Sequence, residues 1–414
     1  MTAGGDTEAV RRRIDALWRI EGARIVAVLA RATGDVGLAE DLAQDAVADA
    51  LAQWPGSGVP RNPAAWLTAV GRRRAVDAWR RAGRLEERYR TIAHELAEDD
   101  DVAWQPVEDD VLRLVFTACH PVLPCEAQVA LTLRVVGGLG TEEIARLFLV
   151  PVATVQQRIV RAKRRLAAAR VPFEVPEPHE WAARLGAVLE VVYLLFTEGY
   201  AATSGDRWIR ADLAGEALRL GRVLAGLVPR EPEVHALVAL MELQGSRFAA
   251  RTRPDGTPVL LADQDRTRWD RAQIGRGRAA LARADALGRG RGPYALQAAI
   301  AECHALAPSV ERTDWPRVVR LYEQLGRLAP GPVVELNRAV AVSMIAGPEA
   351  ALAIVDGLAA AGTLRRSHLL PSVRGELLAR LGRTDEARAQ FAAAAALAGN
   401  DRERSVLEDR AAST

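Results

Sequence analysis

Lysine is almost missing from this chain of 414 residues, in which Lys163 is the single example among 55 lysines and arginines. Such a bias, together with abundant alanine, glycine and valine, is typical of a GC-rich genome and does not by itself indicate a function. The net charge of +2 is also small. Nucleic-acid binding can therefore be inferred only from where the arginines cluster, not from how many there are.

Cysteine is scarce as well, and long apolar runs are missing. The three cysteines are Cys119, Cys125 and Cys303. Although His120 and His304 follow two of them, the spacing matches no zinc pattern, so we expect no metal and no cofactor. No run approaches the roughly 18 apolar residues of a membrane helix, and no basic-then-apolar signal segment is present. We therefore expect no membrane span and a cytoplasmic protein.

Charges segregate along the sequence. Residues 61–90 contain nine arginines and three acids, whereas residues 91–112 contain eight acids and no lysine or arginine. A second basic block covers residues 141–170. With 49% hydrophobic residues, a chain of this length is expected to form several domains. Two basic helical blocks separated by an acidic, poorly periodic stretch indicate two DNA-contacting modules on a flexible tether.

The second basic block has the pattern of a helix-turn-helix over residues 141–166. A short amphipathic helix meets the break at Val150-Pro151, and a second helix follows. One buried stripe is predicted on that second helix, at Val155, Ile159, Ala162 and Leu166. Its opposite side carries amides and cations, namely Gln156, Gln157, Arg158, Arg161, Arg164 and Arg165. Such a helix fits the major groove, where amides and arginines read base edges. The alternative is a helical hairpin with a solvated basic face.

An acidic helix and a cationic helix precede the acidic stretch. Apolar residues recur every three to four positions from 39 to 54, with acids and an amide near the start. A loop rich in proline and glycine covers 55–63, and the second helix follows. Its predicted buried side consists of Trp66, Leu67, Val70 and Val76. Its cationic surface consists of Arg72, Arg73, Arg74, Arg80 and Arg81.

Three segments carry a family resemblance by their order and spacing: AEDLAQDA, NPAAWLTAVGRRRAVDAWRR and the helix-turn-helix at 141–166. They resemble the bacterial extracytoplasmic-function sigma factors of the sigma-70 family. The resemblance implies an all-α fold and a non-enzymatic subunit that directs promoter-specific transcription initiation. Its implied partners are core RNA polymerase, through the β′ clamp and the β flap, and promoter DNA. In that family the first segment docks on the clamp, the second opens and reads the −10 element, and the last helix reads the −35 element.

The resemblance carries three groups of contact residues over to this sequence. The expected core-polymerase contacts are Glu40, Asp41, Leu42, Gln44 and Asp45. The expected −10 contacts are Arg61, Asn62, Trp66, Arg72, Arg73, Arg74, Asp77, Arg80 and Arg81. The expected −35 contacts are Thr154, Gln156, Gln157, Arg158, Arg161 and Arg164. Two positions depart from the family pattern, because Ala43 stands where valine or isoleucine is usual and Asp49 where basic residues are common.

About 240 further residues follow, which ordinary members of this family lack. GPEAAL from Gly347 and GRTDEA from Gly382 are offset by about 35 residues and resemble tetratricopeptide repeats, which stack helix pairs around a concave surface. The motifs VYLLFTEGYAATSGD, LADQDRTRWDR, GPYALQAAIAECHA and LNRAVAVS resemble the extension of one subgroup of these sigma factors.

These patterns divide the chain into six expected segments. The segments are sigma region 2 at 8–85, an acidic linker at 86–107, sigma region 4 at 108–171, a linker at 172–179, a helical extension domain at 180–305 and tetratricopeptide-like repeats at 306–414.

Polar motifs stand out in the apolar background of the extension. They are Glu198, Asp206, Arg207, Asp263, Asp265, Arg266, Arg268 and Asp270. Such a cluster forms a buried ion-pair network, a contact for a regulatory protein or ligand, or a catalytic site. No glycine-rich phosphate loop and no Ser/His/Asp arrangement accompanies it, which argues against catalysis.

One alternative to a sigma factor remains for the whole chain. It is a helix-turn-helix transcriptional regulator with a repeat-type sensor domain, acting without core polymerase. The acidic helix at 39–54 and the cationic block at 66–81 favour the sigma factor, because a simple repressor needs neither of them.

Overall fold

The computed structural model describes residues 3–81, 108–148, 150–202 and 208–414. Within them the chain forms eighteen α-helices and no strand, so the all-α fold class predicted from the sequence is confirmed. No helix in these ranges is long and apolar enough to cross a membrane. The predicted acidic linker at 86–107 lies outside the described residues.

Three helices begin the first of two compact units, Met1–Val191. The turn between the first two is tight, because Gly34 adopts a φ of 69°. The Asp35 carboxylate then accepts hydrogen bonds of 2.7 and 3.1 Å from backbone N–H groups in the first turn of the second helix. The three helices are α1 (Ala3–Thr33), α2 (Val36–Ser57) and α3 (Pro63–Arg81).

Four helices form the next group in the same unit. They are α4 (Glu108–Ala118), α5 (Cys125–Val135), α6 (Thr141–Phe148) and α7 (Val152–Ala168). Helices α6 and α7 pack together around the break at Pro151 and form the expected helix-turn-helix. The buried residues of α7 are Val155, Ile159, Ala162 and Leu166, so the stripe predicted from the sequence is confirmed.

Helix α1 joins these two groups of helices, because it packs on α4 as well as on α2 and α3. Asp110 of α4 is 1% exposed, and its carboxylate pairs with Arg31 of α1 at 3.3 Å and with Arg113 at 2.6 Å. Gly138 has a φ of 70°, and a Cβ there would lie 3.3 Å from the carbonyl oxygen of Trp18. The helices of the two modules, expected on a flexible tether, therefore lie together in one compact unit.

The second unit is Val192–Thr414, and its boundary falls within α8 (Trp181–Tyr200). Proline occupies the first turn of several of its helices, where the missing N–H costs no hydrogen bond. The helices after α8 are α9 (Ala211–Leu227), α10 (Pro232–Gly245), α11 (Arg271–Ala286), α12 (Pro293–Leu306), α13 (Trp315–Leu328), α14 (Pro332–Ser343), α15 (Pro348–Ala360), α16 (Leu369–Arg380), α17 (Thr384–Leu397) and α18 (Asp401–Ser413).

Two hydrophobic cores lie among the helices from α10 to α18 of this second unit. One joins α10 through α14 and contains Trp269 and Val318, so it runs across the expected segment boundary between 305 and 306. The other joins α14 through α18 around Phe391. Helices α16 and α17 approach closely there, because Gly375 has no side chain and a Cβ would lie 3.0 Å from the Phe391 ring.

Candidate nucleic-acid interface

The outer face of α7 carries the residues expected to read the −35 element. Gln156, Gln157, Arg161 and Arg164 are exposed, while Thr154 and Arg158 are half-buried. The helix contains no acidic residue. Exposed amides and guanidinium groups on one acid-free helix face suit hydrogen bonding to base edges and pairing with phosphates.

The start of α6 holds the helix-turn-helix in shape. The carboxylate of Glu143 accepts a hydrogen bond of 2.7 Å from the backbone N–H of Gly140, one residue before the helix. This reach back to the beginning of a helix is half of a capping box and satisfies a backbone donor that the helix leaves free. Glu143 also pairs with Arg19 of α1, which ties the turn to the first group of helices.

The expected −10 contacts lie at the entrance to α3 and along it. Arg61 and Asn62 are exposed, and the Asn62 side-chain oxygen accepts from the backbone N–H of Ala65 at 3.1 Å, which caps the helix. Trp66 is half-buried and packs edge-to-face on Trp54 with ring centroids 5.3 Å apart. Of the other expected contacts, Arg73 and Asp77 are exposed and Arg72 is half-buried. The side chains of Arg80 and Arg81 are not among those that the structure describes.

Arg74, another expected −10 contact, is engaged within the protein. Its guanidinium donates to the Asp49 carboxylate at 2.7 and 3.0 Å and approaches Asp45 at 3.4 Å. The hydrogen bond that Arg74 donates to Asp49 is the main reason why the pKa of Arg74 is raised. Asp49, one of the two departures from the family pattern, thus anchors α3 on α2 through Arg74.

The five expected polymerase contacts on α2 divide into two groups. The side chains of Asp41 and Asp45 are 69% and 59% exposed, and Gln44 is half-buried. Leu42 and Glu40, in contrast, are only 5% and 3% exposed. The two exposed carboxylates are therefore open to a partner, whereas Leu42 belongs to the hydrophobic core of the unit.

Glu40 lies between two cations from the second group of helices. Arg134 of α5 donates to one carboxylate oxygen at 2.7 Å, and Lys163 of α7 donates to the other at 2.5 Å. Lys163 also donates to Asp41 at 2.7 Å. Burial lowers the pKa of Lys163, but Glu40 and Asp41 outweigh it, so the pKa is raised. The lysine therefore stays charged and binds the acidic start of α2 to the inner edge of α7.

Sequence reasoning did not find this contact. The available signal was Lys163 itself, the one lysine in an arginine-rich chain, placed next to Ala162 of the buried stripe. A lysine stem can lie along an apolar surface and deliver its charge to a buried carboxylate.

The cysteines show no arrangement for a metal. Cys119 is buried, its sulfur lies 3.3 Å from the Thr132 hydroxyl, and burial raises the pKa of its thiol to about 11. Cys125 is exposed. Among the described residues no group of His, Cys, Asp and Glu is arranged to hold a metal ion.

Several polar residues of the extension motifs have structural roles, either as helix caps or in ion pairs and hydrogen bonds. Asp265 and Asp270 are exposed and accept hydrogen bonds from nearby backbone N–H groups, as helix caps do. Glu198 pairs with Arg210. Arg266 is buried and donates to backbone carbonyl oxygens. Two expected motif residues, Asp206 and Arg207, lie outside the described residues.

A helix-turn-helix with an acid-free outer helix defines a helical DNA-binding protein, and comparisons with known proteins identify its class. Sigma-70 region 2 matches residues 17–85, and sigma-70 region 4 matches residues 113–166. A family of unknown function, DUF6596, matches residues 184–285. This chain belongs to the sigma-70 family of sigma factors.

Two relatives match this chain over different lengths. An uncharacterized protein of Rhizobium meliloti strain 1021 is 47% identical over 380 residues, which cover 88% of this chain and 87% of that protein. The probable ECF RNA polymerase sigma factor SigI of Mycobacterium tuberculosis is 28% identical over 179 residues, which cover 41% of this chain and 60% of SigI.

Replacing Gln156 and Gln157 by alanine should change the −35 sequence preference, because exposed amides on such a helix can pair with base edges. Arg161→Ala should instead weaken binding to all sequences and reduce the salt slope by about 0.9 for each phosphate that the arginine neutralises. The measurement is a −35 scan of promoter binding by the complex with core polymerase. Arg12→Ala, an exposed arginine of α1, serves as the control. Unchanged preference in the glutamine variants would contradict this assignment.

Proposed function

We propose that this protein is a sigma factor of the extracytoplasmic-function type, which acts in the cytoplasm on core RNA polymerase. In this proposal α2 docks on the β′ clamp, α3 reads and opens the −10 element, and α7 reads the −35 element near the β flap. The observation that carries it is the acid-free outer face of α7, where Gln156, Gln157 and Arg161 are exposed. The printed name of SigI, a probable ECF RNA polymerase sigma factor, agrees with it.

The energy of strand separation supports a polymerase subunit rather than a protein that acts alone. Each stacking step of DNA costs about 1.4 kcal/mol to open, and extruding a base costs a few kcal/mol more. Several steps together exceed what a few exposed arginines on α3 recover, since each exposed ion pair contributes about 0–1 kcal/mol. The opening step therefore depends on a larger machine that grips the DNA.

Docking on polymerase requires the contact at Lys163 to open. Glu40 is buried against Arg134 and Lys163, and Asp41 shares the same lysine. A partner that binds the start of α2 must replace these cations with its own. We therefore include in the proposal a closed free form, in which Lys163 of α7 holds Glu40 and Asp41 and Glu40 is covered, and an open form bound to polymerase.

One observation favours the alternative regulator that works without polymerase. In the arrangement described, the amide and arginine face of α7 is exposed while Glu40 is covered. A protein in this form could bind duplex DNA without docking. Transcription with core polymerase separates the two functions, because only a sigma factor starts RNA synthesis there.

Run-off transcription with core polymerase and this protein alone is the direct test. Asp41→Arg combined with Gln44→Ala should abolish the run-off product, because the reversed charge repels the docking surface of the partner. The new arginine also repels Lys163, so the loss cannot come from a tighter closed form. Asp15→Arg, a charge reversal at an exposed position of α1, should leave transcription unchanged.

Two results would count against this function. The first is that the wild-type protein gives no promoter-specific product with core polymerase from its own organism. The second is that the double variant, shown to be folded by circular dichroism, binds core polymerase normally, which would move the docking site away from α2.

We propose that the extension, a stack of helix pairs of the tetratricopeptide type, supports transcription rather than forming a passive tail. Its first helix is anchored on the −35 module: the Trp181 ring lies 5.2 Å from the ring of buried Phe116, and Arg184 donates to the Phe116 carbonyl at 3.1 Å. Removing the extension therefore removes the contacts of Trp181 and Arg184 with α4. It also removes any binding surface on the helices that follow.

Removal of residues 177–414 should reduce transcription from the cognate promoter, measured with a reporter at matched protein levels. Truncation after Val191 is the informative control, because it keeps Trp181 and Arg184. If both truncations lower output, the remaining helices are needed for activity. If only the shorter protein loses output, the anchor on α4 is the reason. Unchanged output in both would contradict a role of the extension in initiation.

A further inference from the structure

Three arginines and several aromatic rings meet in the second unit, close to the last turn of α8. The guanidinium of Arg251 lies 3.4 Å from the centroid of the Tyr200 ring. That of Arg266 lies 4.7 Å from the Trp269 ring. The guanidinium of Arg247 lies 5.7 Å from each of these two rings, and its charge acts on both of the other arginines. Tyr200 comes from one of the extension motifs, and Arg266 and Trp269 come from another.

The hydrogen bonds of these arginines reach neutral oxygens. Arg251 donates to the carbonyl of Tyr200 at 2.5 Å, and Arg247 donates to the hydroxyl of the same tyrosine. Arg266 donates to the carbonyl oxygens at positions 304 and 307, at 2.6 and 2.7 Å. Among the described residues, none of the three donates to a carboxylate. Burial lowers the pKa of Arg266, and the charge of exposed Glu311 opposes that shift through the electric field, without a hydrogen bond.

Two of these charges are nevertheless buried, since Arg251 is 6% exposed and Arg266 is 9% exposed. Burial lowers the pKa of Arg251 to about 10, and the charge of Arg247 adds to the effect. A buried guanidinium keeps its charge at a high cost unless an anion compensates it. Stacking on aromatic rings offsets part of that cost but supplies no counter-charge.

Polar donors without acceptors surround the same place. Nη2 of Arg266 and the indole N–H of Trp269 are buried and have no hydrogen-bond partner, although Trp269 is only 2% exposed. Nδ1 of His304 is also unpartnered, and it donates or accepts according to the tautomer of the ring. Burial, together with Arg247 and Arg266, lowers the pKa of His304 to about 4, so its ring is neutral at pH 7. The cluster is thus rich in positive charge and donors and poor in acceptors.

Parts of the cluster remain accessible to solvent. Arg247 and Tyr200 are each only partly buried, and so is Tyr322 of α13. Arg247 lies near enough to Tyr322 and His304 for its charge to act on both. A small molecule that reaches Arg247 therefore meets a cation, two phenol rings and the guanidinium groups behind it.

We propose that Arg247, Arg251 and Arg266 form a binding site for a small organic anion. Its phosphate or carboxylate oxygens accept hydrogen bonds from the guanidinium groups, which present paired donors that match such oxygens. Its carbon skeleton lies against the rings of Tyr200 and Trp269. Such a site gives the extension a ligand, and it stands on the geometry of the second unit alone, independently of the proposed role in transcription.

The test is anion binding by the full-length protein, measured by isothermal titration calorimetry at constant ionic strength. Inorganic phosphate and citrate are the two probes, and they distinguish a phosphate from a carboxylate ligand, while chloride is the reference salt. Arg247→Met is the test variant because Arg247 is only partly buried. Arg253→Met, an exposed arginine in the loop that follows, is the matched control. Arg247→Lys is used in addition, in case the methionine variant does not fold.

Wild-type protein should bind at least one probe saturably, with affinity lowered about tenfold or more in Arg247→Met and unchanged in Arg253→Met. Arg247→Lys should bind more weakly than wild type, because it keeps the charge but loses the paired donors. Arginines on α3 and α7 also attract anions, so the site is defined by the difference between the variants. Equal affinities for wild type and both Arg247 variants, or no saturable binding of either probe, would overturn the proposal.

Discussion

The carboxylate of Glu40 is the point on which the arrangement of the first unit depends. It is buried between Arg134 and Lys163, one from each of the helices α5 and α7. Removing either partner from a buried charge pair is costly, because the remaining charge stays desolvated without compensation. The three side chains therefore hold the acidic helix of region 2 against the helix-turn-helix of region 4. Asp110, buried beneath Arg31 and Arg113, adds a second tie of the same kind.

This arrangement links two functional surfaces through a single lysine. Lys163 lies on the inner edge of the helix that carries Gln156 and Gln157 on its outer face, and it holds the two acids at the start of α2. The proposed −35 face stays exposed while part of the proposed docking face is covered. In the proposed closed form, only the open fraction of molecules binds polymerase, so a change in that fraction would regulate the protein without altering either surface.

The sequence predicted those features of the structure that depend on the residue pattern of a single helix. The buried stripe of α7 came directly from the 3.6-residue period. The loop expected at 55–63 is shorter than predicted, because the second helix runs through Pro55 to Ser57 and the third begins at Pro63. Contacts between helices that are far apart in the sequence could not be predicted in this way. Glu40 and Arg134 are 94 residues apart, and the pairing of Asp49 with Arg74 appears in the sequence only as a departure from a family pattern. Likewise, the motif arginine Arg266 met carbonyl groups rather than the acids beside it in sequence, because those acids cap helices.

We propose that Lys163 of α7 holds Glu40 and Asp41, and keeps this part of the docking face of α2 closed, until polymerase binds. The most direct measurement is the distance between spin labels at Ala48→Cys on α2 and Ala167→Cys on α7, in a chain with Cys125→Ser. Both label positions are exposed, and the two remaining cysteines are buried. The account predicts one short distance in the free protein and a clearly longer one when core polymerase is bound. A distance that stays short in the polymerase complex would contradict it.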